Sequence, residues 1–230
     1  LPMPRKHRCL PVAMPAHIIQ RGVNRQICFG ADEDMAAYAN WLFEGSLKFG
    51  VSIHAWVLMT NHVHLLLTPL QEHAISNCMQ YLGRYYVRYF NYRYQRTGTL
   101  FEDRFKSHPV QTNAYFLACS RYIEQNPVRS GMVRHPAEYK WSSYAAQALG
   151  RDVKMWTPHE EYETLGSTQR TRQVAYQQLF DQALESDLVA EIKQAQQTGF
   201  VLGTVEFRQQ LEALTGYPQF HKKRGPKPPV

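Results

Sequence analysis

Two β-rich runs, Val51–Met59 and His62–Thr68, are separated by only Thr60 and Asn61. A two-residue connection leaves room for a hairpin turn and little else, so the runs are expected to pair antiparallel. On both sides of this hairpin the apolar period becomes helical. Asp32 begins an acidic first turn, and Met35, Ala36, Tyr38, Ala39, Trp41, Leu42, Leu47 and Phe49 recur at helical spacing until Gly50 stops them. That pattern predicts a helix over 33–48. A second helix, rich in aromatics, is predicted from Ile75 to about Gln95. His17–Gly22 and Phe105–Val110 read as two more strands. Asn113 is placed to cap a third helix, which ends by Asn126 because Pro127 disfavours helix at the residue before it. The order strand, helix, strand, strand, helix, strand predicts an α+β fold built on a ferredoxin-like antiparallel sheet with helices.

Residues 1–147 contain this pattern, its third helix and a closing segment around Trp141. Past Gly150–Asp152 the composition turns acidic and Gln-rich, and helices are predicted near 168–186, 187–197 and 204–215. Residues 148–217 are therefore read as a small helical C-terminal extension, and 218–230, dominated by Pro, Lys and Gly, as a basic flexible tail. No apolar run approaches the ~20 residues that cross a bilayer, and the N-terminus lacks a signal-peptide pattern. Cys9, Cys28, Cys78 and Cys119 lie far apart with no CxxC pair, as expected of reduced cytosolic thiols. A soluble, cytoplasmic protein with no membrane partner is the expectation.

The formal net charge of +7 is unevenly spread. Residues 1–30 carry Arg5, Lys6, Arg8, Arg21 and Arg25 and no acid. Residues 216–230 carry Lys222, Lys223, Arg224 and Lys227, again without an acid. Between Arg151 and Phe200 the balance reverses to eight acids against five bases. Basic ends and a basic middle suit a polyanion that touches selected surfaces, although a merely basic protein would show the same total.

Three constellations could carry chemistry. In His62-Val63-His64, strand alternation puts both imidazoles on one face, where they could share a divalent cation. For an isolated HxH, two unrelated sheet histidines are the commoner explanation. On the third helix Tyr115, Tyr122 and Asn126 are spaced seven and four apart and share one face. A tyrosine beside a metal can attack phosphorus, and a carboxamide oxygen can add a ligand; core packing is the competing explanation. The segment Tyr81–Arg96 packs six tyrosines, one phenylalanine and four arginines into sixteen residues. Arg84 and Arg88 with Tyr85 and Tyr89 could pair phosphates and stack bases of an unpaired strand, while half of the aromatics are expected to be core.

NHVHLLL (Asn61–Leu67), RTGTLFEDRFKS (Arg96–Ser107), RYIEQNPVRSG (Arg121–Gly131) and HIIQRGVNRQICF (His17–Phe29) together resemble the single-tyrosine HUH transposases, most nearly the REP-associated tyrosine transposases. The resemblance covers about residues 14–147; the later segment is similar to the C-terminal extension of some members. It implies an HUH endonuclease fold, with His62, His64 and Asn126 as metal ligands, Tyr122 as nucleophile and Mg²⁺ or Mn²⁺ as cofactor. It also implies nicking and strand transfer of single-stranded DNA at REP-type hairpins through a 5′-phosphotyrosine. Arg21, Arg25, Arg84, Tyr85, Arg88, Tyr89, Arg104, Lys106, Lys222, Lys223 and Arg224 are the residues expected to contact the DNA, and nucleoid association would follow. Ser130 stands where the family commonly has Ala, and the tail reads RGPKP rather than the RGRP of an AT-hook. The competing reading is a regulator that grips hairpin DNA or RNA without cutting it. The sequence does not choose between monomer and homodimer.

Overall fold

The structure is a computed structural model that describes residues 8–220. The expected tail residues Lys222, Lys223 and Arg224 lie outside the described residues. Four strands form one sheet: β1 (Ala16–Arg21), β2 (Val51–Met59), β3 (His62–Pro69) and β4 (Lys106–Pro109), in the order β2-β3-β1-β4 with every neighbouring pair antiparallel. The hairpin turns at Thr60–Asn61, so that Met59 faces His62 across it. Helix α1 (Asp32–Phe49) links β1 to β2, and α2 (Ala74–Arg93) links β3 to β4. This is the ferredoxin-like arrangement, a split βαβ repeated.

Strand alternation divides the core in two. Ala16 and Ile18 of β1, Ile53, Trp56 and Leu58 of β2, and Val63, Leu65 and Leu67 of β3 pack with α1 and α2. Helix α1 starts on Asp34, whose Oδ2 accepts from the backbone N–H of Gly30 (2.7 Å) and Ala31 (3.0 Å) and from the Tyr94 hydroxyl (2.6 Å). Tyr89 donates to the other oxygen at 3.1 Å, so one buried carboxylate ties the start of α1 to the end of α2. Gly50, at φ 69°, ends α1 in the left-handed region that glycine enters without strain. The buried stripe of α2 includes Leu82, Tyr86 and Phe90. Of the seven aromatics from Tyr81 to Tyr94 only Tyr86 and Phe90 are buried; Tyr89 and Tyr94 pack partly against them, and Tyr85 and Tyr92 are exposed.

The opposite face of the sheet is covered by α3 (Ala114–Glu124). A bulge between Ile53 and Ala55 shifts β2 by one residue, turning Ala55, Val57 and Met59 toward Phe116, Cys119, Tyr122 and Ile123. Asn113 does not cap α3 with its side chain; it sits at φ 64° and its backbone N–H donates to Glu161 Oε1 at 2.7 Å. Pro127 ends α3 as expected, and then occupies the first turn of a short helix, α4 (Asn126–Arg129).

The later segment wraps both sheet edges. Residues 141–157 run along β2, where Leu58 N–H donates to Trp141 O (2.9 Å) and Thr157 N–H to Ile53 O (2.8 Å). Beside β4, Leu202 N–H donates to Pro109 O and Gln111 N–H to Leu202 O, both at 2.8 Å. The short helices α5 (Tyr144–Gln147) and α6 (Glu160–Glu163) precede α7 (Gln169–Gln178), α8 (Ser186–Thr198) and α9 (Val205–Thr215). Helix α7 stops eight residues short of the expected 186, and Ile192, Ala195 and Leu202 join the α3 cluster. All four cysteines are free and buried. Among the described residues no helix is long and apolar enough to cross a membrane.

Glu124, wholly buried near the end of α3, locks that helix to the later segment. It accepts from Gln147 Nε2 (2.7 Å), Tyr176 Oη (2.9 Å) and Ser143 Oγ. Burial lifts its carboxyl to about 7, against the three hydrogen bonds, which lower it. A carboxyl raised on folding holds its proton more tightly in the native state, so its contribution is complete below about 4.5 and is lost as pH rises through about 7. The Tm of wild type minus that of Glu124→Gln should therefore fall by roughly 5 °C or more over that interval in thermal melts. A constant difference would mean that Glu124 titrates as an ordinary carboxyl.

Candidate functional site

In β3, Val63, Leu65 and Leu67 are committed to the α1/α2 core, so alternation turns His62, His64 and Leu66 toward α3. The β1–β3 register sets Arg21 opposite His62 and Ile19 opposite His64; the β1–β4 register sets His17 opposite His108 and Ile19 opposite Lys106. The α3 face thus grades from an exposed end, with Arg21 and half-buried His62, to an enclosed end with His17, His64 and His108. His62 and His64 rings are 5.1 Å apart between centroids, and His17 contacts both His64 (5.0 Å) and His108 (4.8 Å).

All four imidazoles are neutral. Burial is the largest cause, taking His62 down to about 4, His108 to about 3, and His17 and His64 well below the usual histidine range. Neighbouring Arg21 adds to the effect at His62, and His62, Arg129, Arg21 and His108 add to it at His64. Neutral imidazole is the form that ligates metals. His62 Nδ1 lies 2.6 Å from Asn61 Oδ1, an acceptor, so Nδ1 carries the proton and Nε2 keeps its lone pair. His64 Nδ1 lies 2.8 Å from His17 Nε2. With the proton on His64 Nδ1, this bond likewise leaves His64 Nε2 bare. His17 Nδ1 and both nitrogens of His108 are buried without a hydrogen-bond partner among the described residues.

Helix α3 lays Tyr122 over this row. Its ring centroid is 6.2 Å from those of His17 and His64, and the side chain is 5% exposed. Arg129, two turns on, places its guanidinium carbon 3.9 Å above the Tyr122 ring and donates to Tyr122 O at 2.8 Å. Asn126 Nδ2 donates to Tyr122 O (3.0 Å) and Ile123 O (3.1 Å), leaving its Oδ1 as the acceptor that can serve a cation. Tyr115 faces elsewhere: it packs at the edge of the α3 cluster and hydrogen-bonds Glu191 of α8.

His62, His64, Tyr122, Asn126, Arg21 and Lys106 therefore share one side of the sheet. Among the described residues no group of three or more His, Cys, Asp or Glu side chains is arranged as a metal site. Arg25 sits beside the hairpin turn, its carbonyl accepting from Asn61 Nδ2 at 3.1 Å, and exposed Arg104 shortly precedes β4. Arg84, Tyr85, Arg88 and Tyr89 of α2 lie across the sheet from the histidines. Tyr85 stacks on Trp41 at 6.1 Å and Tyr89 is held by Asp34, whereas Arg84 and Arg88 are exposed. Sequence reasoning missed His17, His108 and Arg129. Only the sheet register brings the two histidines to the others; Arg129 lay in plain sight seven residues after Tyr122.

The fold is thus a ferredoxin-like sheet with two histidines on one inner strand and a tyrosine on the helix above them. The IS200-like transposase family model matches residues 12–126, and the chain belongs to that family. It is similar to the solved structure of a REP-associated tyrosine transposase bound to a REP hairpin, with 16% identity, 68% of this chain and 93% of that one covered, and a TM-score of 0.54. A crystal structure of a candidate transposase from Deinococcus radiodurans R1 is 20% identical over 53% of this chain and 96% of that one, with a TM-score of 0.37. No curated protein matches the sequence.

Since Asn126 closes the carbonyl end of α3, Asn126→Ala should cost about 1–2 kcal/mol in urea unfolding even without a metal. An unchanged midpoint would mean that those two bonds contribute nothing to the fold.

Proposed function

We propose that this protein nicks and rejoins single-stranded DNA beside REP-type hairpins, with Tyr122 as nucleophile and with His62, His64 and the Asn126 carboxamide holding Mg²⁺ or Mn²⁺. The observation that carries the reading is the convergence of Tyr122 on His64, at 6.2 Å, under the Arg129 guanidinium at 3.9 Å. Family membership and the hairpin bound by the similar REP-associated transposase support the choice of DNA.

A free phenol titrates near 10, so Tyr122 needs help to attack at neutral pH. Arg129 stacks its guanidinium on the ring and donates to Tyr122 O, which holds the phenol in place for attack as its proton passes to water. The Tyr122 oxygen then bonds to phosphorus, the bond to the departing 3′ oxygen breaks, and that oxygen takes up a proton. The covalent 5′-phosphotyrosine conserves the phosphodiester energy, so a 3′-hydroxyl can reverse the step without a nucleotide cofactor. The cation, when bound, neutralises phosphate charge as the transition state forms. Asn61 and His17 orient the two imidazoles through their Nδ1 atoms. Arg21 and Lys106 flank the row, with Arg25 and Arg104 near them in the chain, and in this reading they hold backbone phosphates.

Incubation with a labelled single-stranded hairpin and Mn²⁺ should yield a denaturant-resistant adduct whose DNA-linked peptide contains Tyr122, and Tyr122→Phe should yield none. DNA on the Tyr115 peptide would overturn the assignment, and full hairpin affinity with no adduct would show a binder that does not cut. His62→Ala or His64→Ala should abolish the adduct while keeping most affinity, because Lys and Arg contacts to phosphate dominate binding. Arg84 and Arg88 form a separate exposed pair on the far face, proposed to meet phosphates there. If they do, Arg84→Ala lowers affinity across all sequences and flattens the salt dependence by about one unit of slope; no change in either places α2 outside the interface.

A further inference from the structure

Tyr122 and Glu124 are two residues apart on α3, about 200° around the helix, so they face opposite ways. The Tyr122 ring meets His17 and His64, whereas the Glu124 carboxyl meets Ser143, Gln147 and Tyr176. On its sheet side α3 packs Phe116, Cys119 and Ile123 against Ala55, Val57 and Met59. Apolar packing is not directional, so it holds the helix on the sheet without fixing where the helix lies along it.

Hydrogen bonds are directional, and those of Glu124 lead back to the sheet. Gln147 Nε2 donates to Glu124 Oε1 at 2.7 Å, Tyr176 Oη donates to Oε2 at 2.9 Å, and Ser143 Oγ donates to Oε1. Ser143 is itself bound to β2. Its Oγ accepts from Trp56 N–H and its own N–H donates to Trp56 O, both at 3.0 Å. The next residue of β2, Val57, stands opposite His64, and Met59 stands opposite His62. A run of hydrogen bonds therefore joins the helix that carries Tyr122 to the strand paired with both histidines. Asn126 and Arg129 bind the Tyr122 carbonyl, but those bonds stay within the α3–α4 turn.

We infer that Glu124 is a positioning residue for the reaction of Tyr122. Held by Ser143 and Tyr176, it sets where α3 lies along the sheet, and with it the reach of the phenol to a phosphate over the histidine row. Ser143, Gln147 and Tyr176 all lie beyond residue 126, where the family match ends, so placement of the nucleophile depends on chain outside the matched stretch. A shift of about 1 Å breaks a hydrogen bond, and a misplacement of that size can slow a positioned reaction by ~10²-fold. Glu124 and Tyr176 are wholly buried and touch no DNA, so their loss is expected in the rate and not in hairpin affinity.

The inference rests on the nicking reading above but fails separately from it. The test is the single-turnover rate of adduct formation on Tyr122 at saturating hairpin and Mn²⁺, measured beside hairpin affinity by fluorescence anisotropy. Tyr176→Phe removes one buried hydroxyl and should slow the adduct about tenfold or more, with affinity within about twofold of wild type. Tyr86→Phe controls for lost stability. It removes an equally buried hydroxyl, bonded to Cys28 O at 2.5 Å on the α1/α2 side of the sheet, and should leave the rate unchanged. Glu124→Gln keeps an acceptor for Ser143 and Gln147 and should retain more of the rate than Glu124→Ala. If Glu124→Ala does not fold, Tyr176→Phe against Tyr86→Phe decides. A Tyr176→Phe rate equal to wild type, equal slowing by Tyr86→Phe, or a rate loss matched by a loss of affinity would overturn the positioning role and leave nicking standing. A wild type that forms no adduct on Tyr122 would overturn the nicking reading, and this inference with it.

Discussion

The register between β1 and β3 is the constraint on which the rest depends. Because side chains alternate with a period of two, a slip of one residue in β3 would drive His62 and His64 into the α1/α2 core and turn Val63 and Leu65 toward α3. The two-residue turn at Thr60–Asn61 fixes β3 against β2, and the apolar residues of β1 fix it on the other side. One face of the sheet thereby becomes the folding face, closed by aromatic packing between α1 and α2. The other collects imidazoles, the Tyr122 phenol and basic side chains.

Collecting four histidines under a helix is costly unless they stay neutral, and burial enforces that. Asn61 and His17 engage the Nδ1 atoms of His62 and His64 and fix both rings. Helix α3, which carries Tyr122, is held at its end by Asn126 and Arg129 on its carbonyls and by Glu124, which accepts from Gln147 and from Tyr176 of the later segment. The residues beyond 147 are thus part of what positions the tyrosine. They also cover both sheet edges, where exposed strands would otherwise offer unpaired backbone groups.

Much of the architecture was readable because its determinants are local. The strand–turn–strand at 51–68, the helix stopped by Gly50 and the break at Pro127 each depend on residues within a few positions, and each formed where expected. Asn113 misled because a capping residue type does not fix the backbone: it sits at φ 64° with its own N–H bonded to Glu161, and its side chain does not cap the helix. The sharing of a face by His62 and His64 follows from alternation alone, and the spacing of Tyr122 to Asn126 from the helical period.

What the sequence by itself determined about this protein is therefore the order of its elements, the family motifs and the pair of histidines on one strand. Tertiary structure decided which partners those residues meet. That His17 bonds His64, that Tyr122 rather than Tyr115 faces the row, that α2 with its arginines lies on the far side, and that residues 8 and 217–220 close a cavity beside β4 all depend on contacts between residues distant in the chain. Periodicity tells which way a side chain points from its own element. Only the packing of the elements tells what stands opposite.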